Sequence, residues 1–286
     1  MSAEVTTHSA LTIDGLEVSF EPGMSILQAA AAAGIDIPNL CAHPHLRPFG
    51  RCRLCLVEVE GLRGYPSACT TPATAGAVVR TESPELTALR RGALELVLTE
   101  HPTGCLLCGH QDDCLEHHGC HSRRSGTVTG CRFCPNDQQC ELQDMVERLG
   151  ITDLDLEVSY RGLPVDRRDP FFDRDYNLCI LCARCVRACD ERRDAQAVAL
   201  TFRGPRALVG TAYNRRLLET ECQFCGECVD LCPTGALAER VNKWVGVPTA
   251  AVTTTCPFCS LGCQLEMRVR EGQIIGARPV GDEQLC

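Results

Sequence analysis

Twenty-three cysteines among 286 residues leave few folds open to this chain. In a small secreted protein such a density signals a disulfide framework. The opening residues, MSAEVTTHSA, argue against export, because they carry Glu4 and have neither a basic nor an apolar signal region. The longest apolar stretch, around Ile26 to Ala33, is far too short to span a bilayer. A reducing cytoplasm is the expected compartment, and there clustered cysteines bind metal rather than one another.

Spacing divides the cysteines into blocks. Cys41, Cys52, Cys55 and Cys69 form C-x10-C-x2-C-x13-C. His101, Cys105, Cys108 and Cys114 form H-x3-C-x2-C-x5-C, followed by Cys120 and by Cys131, Cys134 and Cys140. Cys179, Cys182, Cys185 and Cys189 form C-x2-C-x2-C-x3-C; Cys222, Cys225, Cys228 and Cys232 repeat it, with Pro233 next. Cys256, Cys259 and Cys263 form C-x2-C-x3-C, and Cys286 is the last residue given. With His101 added there are 24 candidate ligands, six sets of four with no cysteine left over. Disulfides or scattered core cysteines have no reason to partition in this way.

The intervening sequence reads as α+β. Leu11 to Ile13 and Leu16 to Phe20 alternate about Asp14-Gly15, a hairpin signature. Ser25 caps an apolar run through Ala33, and Gly34 ends it. Leu54 to Val59 alternates as a strand, and Cys69 is placed after a further one. Pro84 to Leu98 has helical periodicity with Ser83 as its cap. Glu141 and Asp144 read as part of a solvated helix face running to Leu149. Arg161 to Arg174, with Pro164 and Pro170, reads as a linker, and Leu265 to Val269 and Gln273 to Ile275 as strands.

These motifs, in this order, resemble the large iron–sulfur subunit of respiratory complex I. The order is shared by NAD-linked formate dehydrogenases and the electron-input subunits of NAD-linked hydrogenases. The resemblance implies a [2Fe–2S] ferredoxin-like domain over 1–82 and a His/Cys [4Fe–4S] segment with an extra site over 83–160. A two-[4Fe–4S] ferredoxin module follows over 161–248, and a small [4Fe–4S] domain of the molybdopterin-oxidoreductase type over 249–286. It implies one [2Fe–2S] and about five [4Fe–4S] clusters, one of them His/Cys3-ligated. The gap of ten between Cys41 and Cys52 departs from the plant-type C-x4-C spacing.

Two groupings fit the His-containing block. The preferred one sets His101 with Cys105, Cys108 and Cys114, and Cys120 with Cys131, Cys134 and Cys140. The other gives Cys105, Cys108, Cys114 and Cys120 a site of their own and joins His101 to Cys131, Cys134 and Cys140. His117, His118 or His121 could supply a fourth ligand, and zinc could occupy the extra site. The tandem runs match the two-cluster ferredoxin pattern, in which the fourth cysteine of each run ligates the other cluster. Cys179, Cys182 and Cys185 then pair with Cys232, and Cys222, Cys225 and Cys228 with Cys189.

Other chemistries have no support. A net charge of −9 argues against a nucleic-acid surface. No dinucleotide fingerprint, P-loop, nucleophile elbow or H-E-x-x-H motif occurs, and no catalytic residue is assigned. The implied role is conduction between a flavin/NAD(P)-binding subunit and a second catalytic redox subunit. The alternatives are the N-terminal portion of a molybdenum or tungsten formate dehydrogenase, whose catalytic domain would begin after Cys286, and a zinc-bound scaffold.

Overall fold

The computed structural model describes residues 9–108, 131, 134, 136–240 and 245–280. Cys114, Cys120 and Cys286 lie outside the described residues, as do His117, His118 and His121.

The N-terminal part is a four-stranded sheet crossed by one short helix. Strands β1 (Ser9–Ile13) and β2 (Leu16–Phe20) form the expected hairpin, with Leu11 opposite Val18. Asp14 and Gly15 both take the left-handed backbone that a two-residue turn requires. Helix α1 (Ile26–Ala32) starts at Ser25, whose hydroxyl accepts from the Gln28 N–H while the Gln28 side chain accepts from the Ser25 N–H. Strands β3 (Glu58–Val59) and β4 (Val78–Arg80) complete the sheet in the order β2-β1-β4-β3, with β1 and β4 parallel. The Asp14 carboxylate accepts from the Thr81 N–H at 2.7 Å and hydroxyl at 2.5 Å, tying turn to sheet. Leu11, Ile13, Ile26, Ala29, Val57 and Val79 fill the core beneath.

The strand expected over Leu54 to Val59 is reduced to β3 and a single bridge between Leu56 and Ser67, with no further strand before Cys69. Cys55 lies within this stretch and faces the sulfur of Cys69.

Helix α2 (Pro84–Leu98) begins at Ser83, whose hydroxyl accepts from the Leu86 N–H at 3.2 Å. It packs Leu94 and Leu98 against α3 (Glu141–Arg148) through Leu142, Met145 and Val146. His101 follows α2 by three residues, and Cys140 immediately precedes α3.

The third part holds the tandem runs. Strand β5 (Phe172–Arg174) pairs antiparallel with β8 (Leu237–Glu239), closing first run onto second, and β6 (Ala199–Thr201) pairs with β7 (Leu208–Gly210). Short helices α4 (Arg184–Arg187) and α5 (Glu227–Asp230) carry Cys185 and Cys228, and α4 continues into a π-turn over Ala188–Arg192. One small apolar cluster here consists of Phe172, Cys185, Val198, Val209 and Leu217. The linker reading of Arg161 to Arg174 is corrected. Arg174 lies in β5, buried, with both Asp166 and Asp169 at 2.8 Å, while Asp169 also accepts from the Leu217 N–H at 2.8 Å.

The C-terminal part is a three-stranded antiparallel sheet of β9 (Ala250–Thr255), β10 (Gln264–Arg270) and β11 (Gln273–Pro279), in the order β11-β10-β9. No described helix is long and apolar enough to cross a membrane.

Candidate metal centres

The first set is gathered into one cage. Cys41, Cys55 and Cys69 are buried and Cys52 is half-buried. Gly50 and Arg53 take left-handed backbone, and the loop turns its N–H groups inward. Arg51 and Cys52 N–H donate to the Cys41 sulfur at 3.3 and 3.4 Å, and Leu40 N–H donates to that of Cys52 at 3.4 Å. Such donors stabilise sulfur carrying negative charge. Hydrogen bonds from Cys52 and Cys69 push the Cys41 thiol down to about 2, and Cys69 brings Cys55 down to about 7. The donors Cys52 and Cys69 are pushed up in exchange. Cys41 lies within hydrogen-bonding reach of Cys52 and Cys69, and Cys69 of Cys55, which fits a metal-binding set.

His101 is buried, and its Nδ1 has no hydrogen-bond partner among the described residues. An orphaned buried nitrogen calls for a partner. Burial pushes its pKa down to about 4, so the imidazole is neutral and can act as a ligand. It faces a cavity of about 10 Å³ whose walls include Cys131, Cys134 and Cys140, together with Leu106 and Leu142. Burial pushes Cys134 up to about 12 and Cys140 up to about 11. Cys105 is buried in the same apolar cluster as Cys131 and Cys140, and Cys108 is half-buried, but neither lines this cavity. The cavity thus sets His101 beside the three cysteines of the second grouping, while Cys114 and Cys120, on which the choice between the groupings turns, lie outside the described residues.

The tandem runs interleave. Cys185, Cys189, Cys222, Cys225 and Cys228 line one cavity of about 40 Å³, closed by apolar side chains including Phe172, Val209, Leu217 and Phe224. Cys189, from the first run, thus lies with three cysteines of the second. Its sulfur accepts from the Ala197 N–H at 3.3 Å, and that of Cys222 from the Phe224 N–H at 3.5 Å. Cys232, conversely, lies within electrostatic reach of Cys179 and Cys182, whose thiols burial pushes up to about 11 and 12. Leu181, Ala183, Phe224 and Gly226 take left-handed backbone within the two ligand loops.

Cys256 and Cys263 are half-buried and Cys259 is exposed on the turn between β9 and β10, where Cys256 N–H donates to the Cys263 carbonyl at 2.7 Å.

Three charged residues beside the ligands escaped the sequence reading. Glu227, nearly buried, pairs with Arg192 and Arg193. Arg184 pairs with Glu141, so Glu141 is not merely solvated, and Arg187 donates to the backbone carbonyl of Cys41. The available signal was arginine at two positions within a cysteine run, where a cluster loop otherwise favours small residues.

Convergent cysteine sets on short loops, arranged around two interleaved runs, define an iron–sulfur protein of ferredoxin type. Residues 7–84 match the 2Fe-2S iron-sulfur cluster binding domain family. Residues 169–238 match the ferredoxin-like domain of NADH-quinone oxidoreductase subunit 3, and 249–284 the molybdopterin oxidoreductase Fe4S4 domain. The chain is 34% identical over 93% of its length to the NADPH-Fe(3+) oxidoreductase subunit alpha of Geobacter sulfurreducens, covering 28% of that protein. It is 33% identical over 80% of its length to the mitochondrial NADH-ubiquinone oxidoreductase 78 kDa subunit of Neurospora crassa, covering 27% of it. A chain of a crystal structure of NAD+-reducing [NiFe]-hydrogenase in the H2-reduced state superposes with a TM-score of 0.68 at 30% identity, over 83% of this chain and 90% of that one. The chain belongs to the large iron–sulfur subunit family of respiratory complex I and its relatives. It spans under a third of the length of the two curated relatives named.

Proposed function

We propose that this chain is an electron-transfer unit of a multi-subunit NAD(P)-linked oxidoreductase, lying between a flavin/NAD(P)-binding subunit and a second redox site. The observation that carries this reading is the interleaving of the tandem runs, with Cys189 among Cys222, Cys225 and Cys228. A single zinc site has no use for that exchange, whereas paired [4Fe–4S] sites do. The names of the relatives agree with this role.

Bound clusters would supply one-electron carriers, with chemistry left to cofactors on partner subunits. The residues of this chain hold, orient and tune them. Cys41, Cys52, Cys55 and Cys69 hold a [2Fe–2S] cluster. His101 with Cys131, Cys134 and Cys140 holds a [4Fe–4S] cluster, supported by the orphaned Nδ1 and the shared cavity. A neutral imidazole in place of a thiolate makes that site less negative and its potential higher. Cys105, Cys108, Cys114 and Cys120 are left for an additional site. Cys179, Cys182, Cys185 and Cys232 hold one ferredoxin-type cluster and Cys222, Cys225, Cys228 and Cys189 the other. Cys256, Cys259, Cys263 and Cys286 hold the last. The domain limits at 82, 160 and 248 and a cytoplasmic location belong to the same proposal.

The test is an EPR-monitored redox titration of anaerobically purified protein, with iron and acid-labile sulfide analysis. One [2Fe–2S] and several [4Fe–4S] signals are expected, one of them at higher potential. Stoichiometric zinc with no sulfide would sink the reading. The Fe4S4 match of the molybdopterin-oxidoreductase type over 249–284 favours a second possibility, that this segment forms the front of a molybdenum or tungsten enzyme. Molybdenum or tungsten bound to the natural gene product would establish it.

A further inference from the structure

The first ferredoxin run contains two arginines, Arg184 and Arg187, which bracket Cys185 on α4. Both are buried, with the residues 4% and 7% exposed. A buried guanidinium must find partners for its N–H groups. Both find them for their Nη groups outside the run, each in a different ligand segment, while each Nε has no partner among the described residues.

Arg184 forms a two-pronged pair with Glu141, Nη1 to Oε1 at 2.6 Å and Nη2 to Oε2 at 2.8 Å. Glu141 immediately follows Cys140, which lines the His101 cavity. Arg187 donates Nη2 to the carbonyl of Cys41 and Nη1 to that of Arg47, with its guanidinium carbon 5.4 Å from the Phe49 ring centroid. Glu191, four residues on, accepts from the Arg47 N–H at 2.7 Å and reinforces the same contact. The two charges have different surroundings. Arg184 is matched by a carboxylate, whereas the partners of Arg187 are carbonyls and an aromatic face.

We propose that Arg184 and Arg187 are positioning residues, one for each neighbouring centre. Arg187 fixes the Cys41 loop against the first ferredoxin run, and Arg184 fixes the Cys131–Cys140 segment against it. Arg187 places positive charge beside the Cys41 loop, and Arg184 offsets the Glu141 carboxylate beside Cys140; each effect favours the more negative, reduced form of the centre concerned and raises its potential. The inference rests on the electron-transfer reading above, because it presupposes clusters at these cysteines. A purely structural pair of arginines would affect folding and iron retention but would not single out one centre each.

The experiment uses the full chain, purified anaerobically with its iron, and reads the midpoint potential of each EPR signal. Arg187→Met is expected to lower the midpoint of the [2Fe–2S] signal and leave the higher-potential His101 signal in place. Arg187→Lys, which keeps the charge, is expected to restore most of that shift. Arg184→Met is expected to do the reverse, lowering the His101 midpoint only. Should a methionine variant lose iron, the corresponding lysine and glutamine variants decide, since they differ in charge at similar bulk. Unmoved midpoints with full iron, or both signals shifting together in both variants, would overturn the proposal while leaving the electron-transfer reading intact. If the unsubstituted chain shows no cluster signals, it is the electron-transfer reading that fails.

Discussion

The Cys140 sulfur lies 3.5 Å from the backbone carbonyl of Pro233, which also accepts from the Glu141 N–H at 3.1 Å. Pro233 follows Cys232, so ligands of two different centres are separated by one residue and one hydrogen bond. Asn136 strengthens the seam through its side-chain amide, which donates to the Thr234 carbonyl at 3.2 Å. Under the proposed assignment, the centre of Cys140 and that of Cys232 are neighbours across this seam, a condition for electron exchange.

The identity of the imidazole's partners can be read by substitution. His101→Ala is expected to remove about four irons and the higher-potential signal, because a four-iron centre with three ligands is poorly held. His101→Cys should keep the iron and lower the midpoint. Cys131→Ser should abolish the same signal as His101→Ala, whereas Cys105→Ser should spare it. If Cys105→Ser removes it instead, the grouping preferred from spacing is the right one.

Iron content offers a direct count. One two-iron and five four-iron clusters give roughly 22 irons per chain, with as many sulfides. Inductively coupled plasma analysis of anaerobic protein should approach this. A value near 18 (one four-iron set fewer), accompanied by one zinc, would mark the Cys105–Cys120 site as structural zinc.

Asp169→Ala should destabilise the ferredoxin module by about 3 kcal/mol, the cost of stripping one partner from a buried pair. It removes a carboxylate from buried Arg174 and also leaves the Leu217 N–H without its acceptor. Thermal melting of iron-loaded protein checks this, with the Asp166→Ala variant affected less because Asp166 lies nearer the surface.

Alkaline pH should weaken any fold that the iron-free chain retains. Burial holds Cys179 at about 11 and Cys182 at about 12, against an ordinary 9.0. A raised folded pKa means the folded state keeps its proton more tightly than the unfolded state. The contribution is complete below pH 9.0 and lost as pH rises through 11 and 12. Circular dichroism melts of iron-free protein should fall across that window. Iron-loaded protein, whose thiolates are already formed, should not follow the same curve.

Elements whose determinants are local were legible in the sequence. Asp14-Gly15 makes the hairpin, and Ser25 and Ser83 start their helices, because a turn or a cap is decided within four residues. The nearness of His101 to Cys140 was not legible, because it depends on the packing of α2 on α3 and spacing reports only what is near in the chain. Arg174 shows the same limit. An arginine beside prolines reads as a wet linker unless Asp166 and Asp169 are known to fold back onto it.

The sparse apolar set around Phe172 has a consequence for how the subunit ages. Greasy contact alone gives that module little cohesion, so inorganic atoms serve as its mortar. Oxidants that strip the mortar remove shape and conductivity in one stroke. A spoiled copy then unravels and is exposed to proteolysis, instead of persisting as a dead conductor.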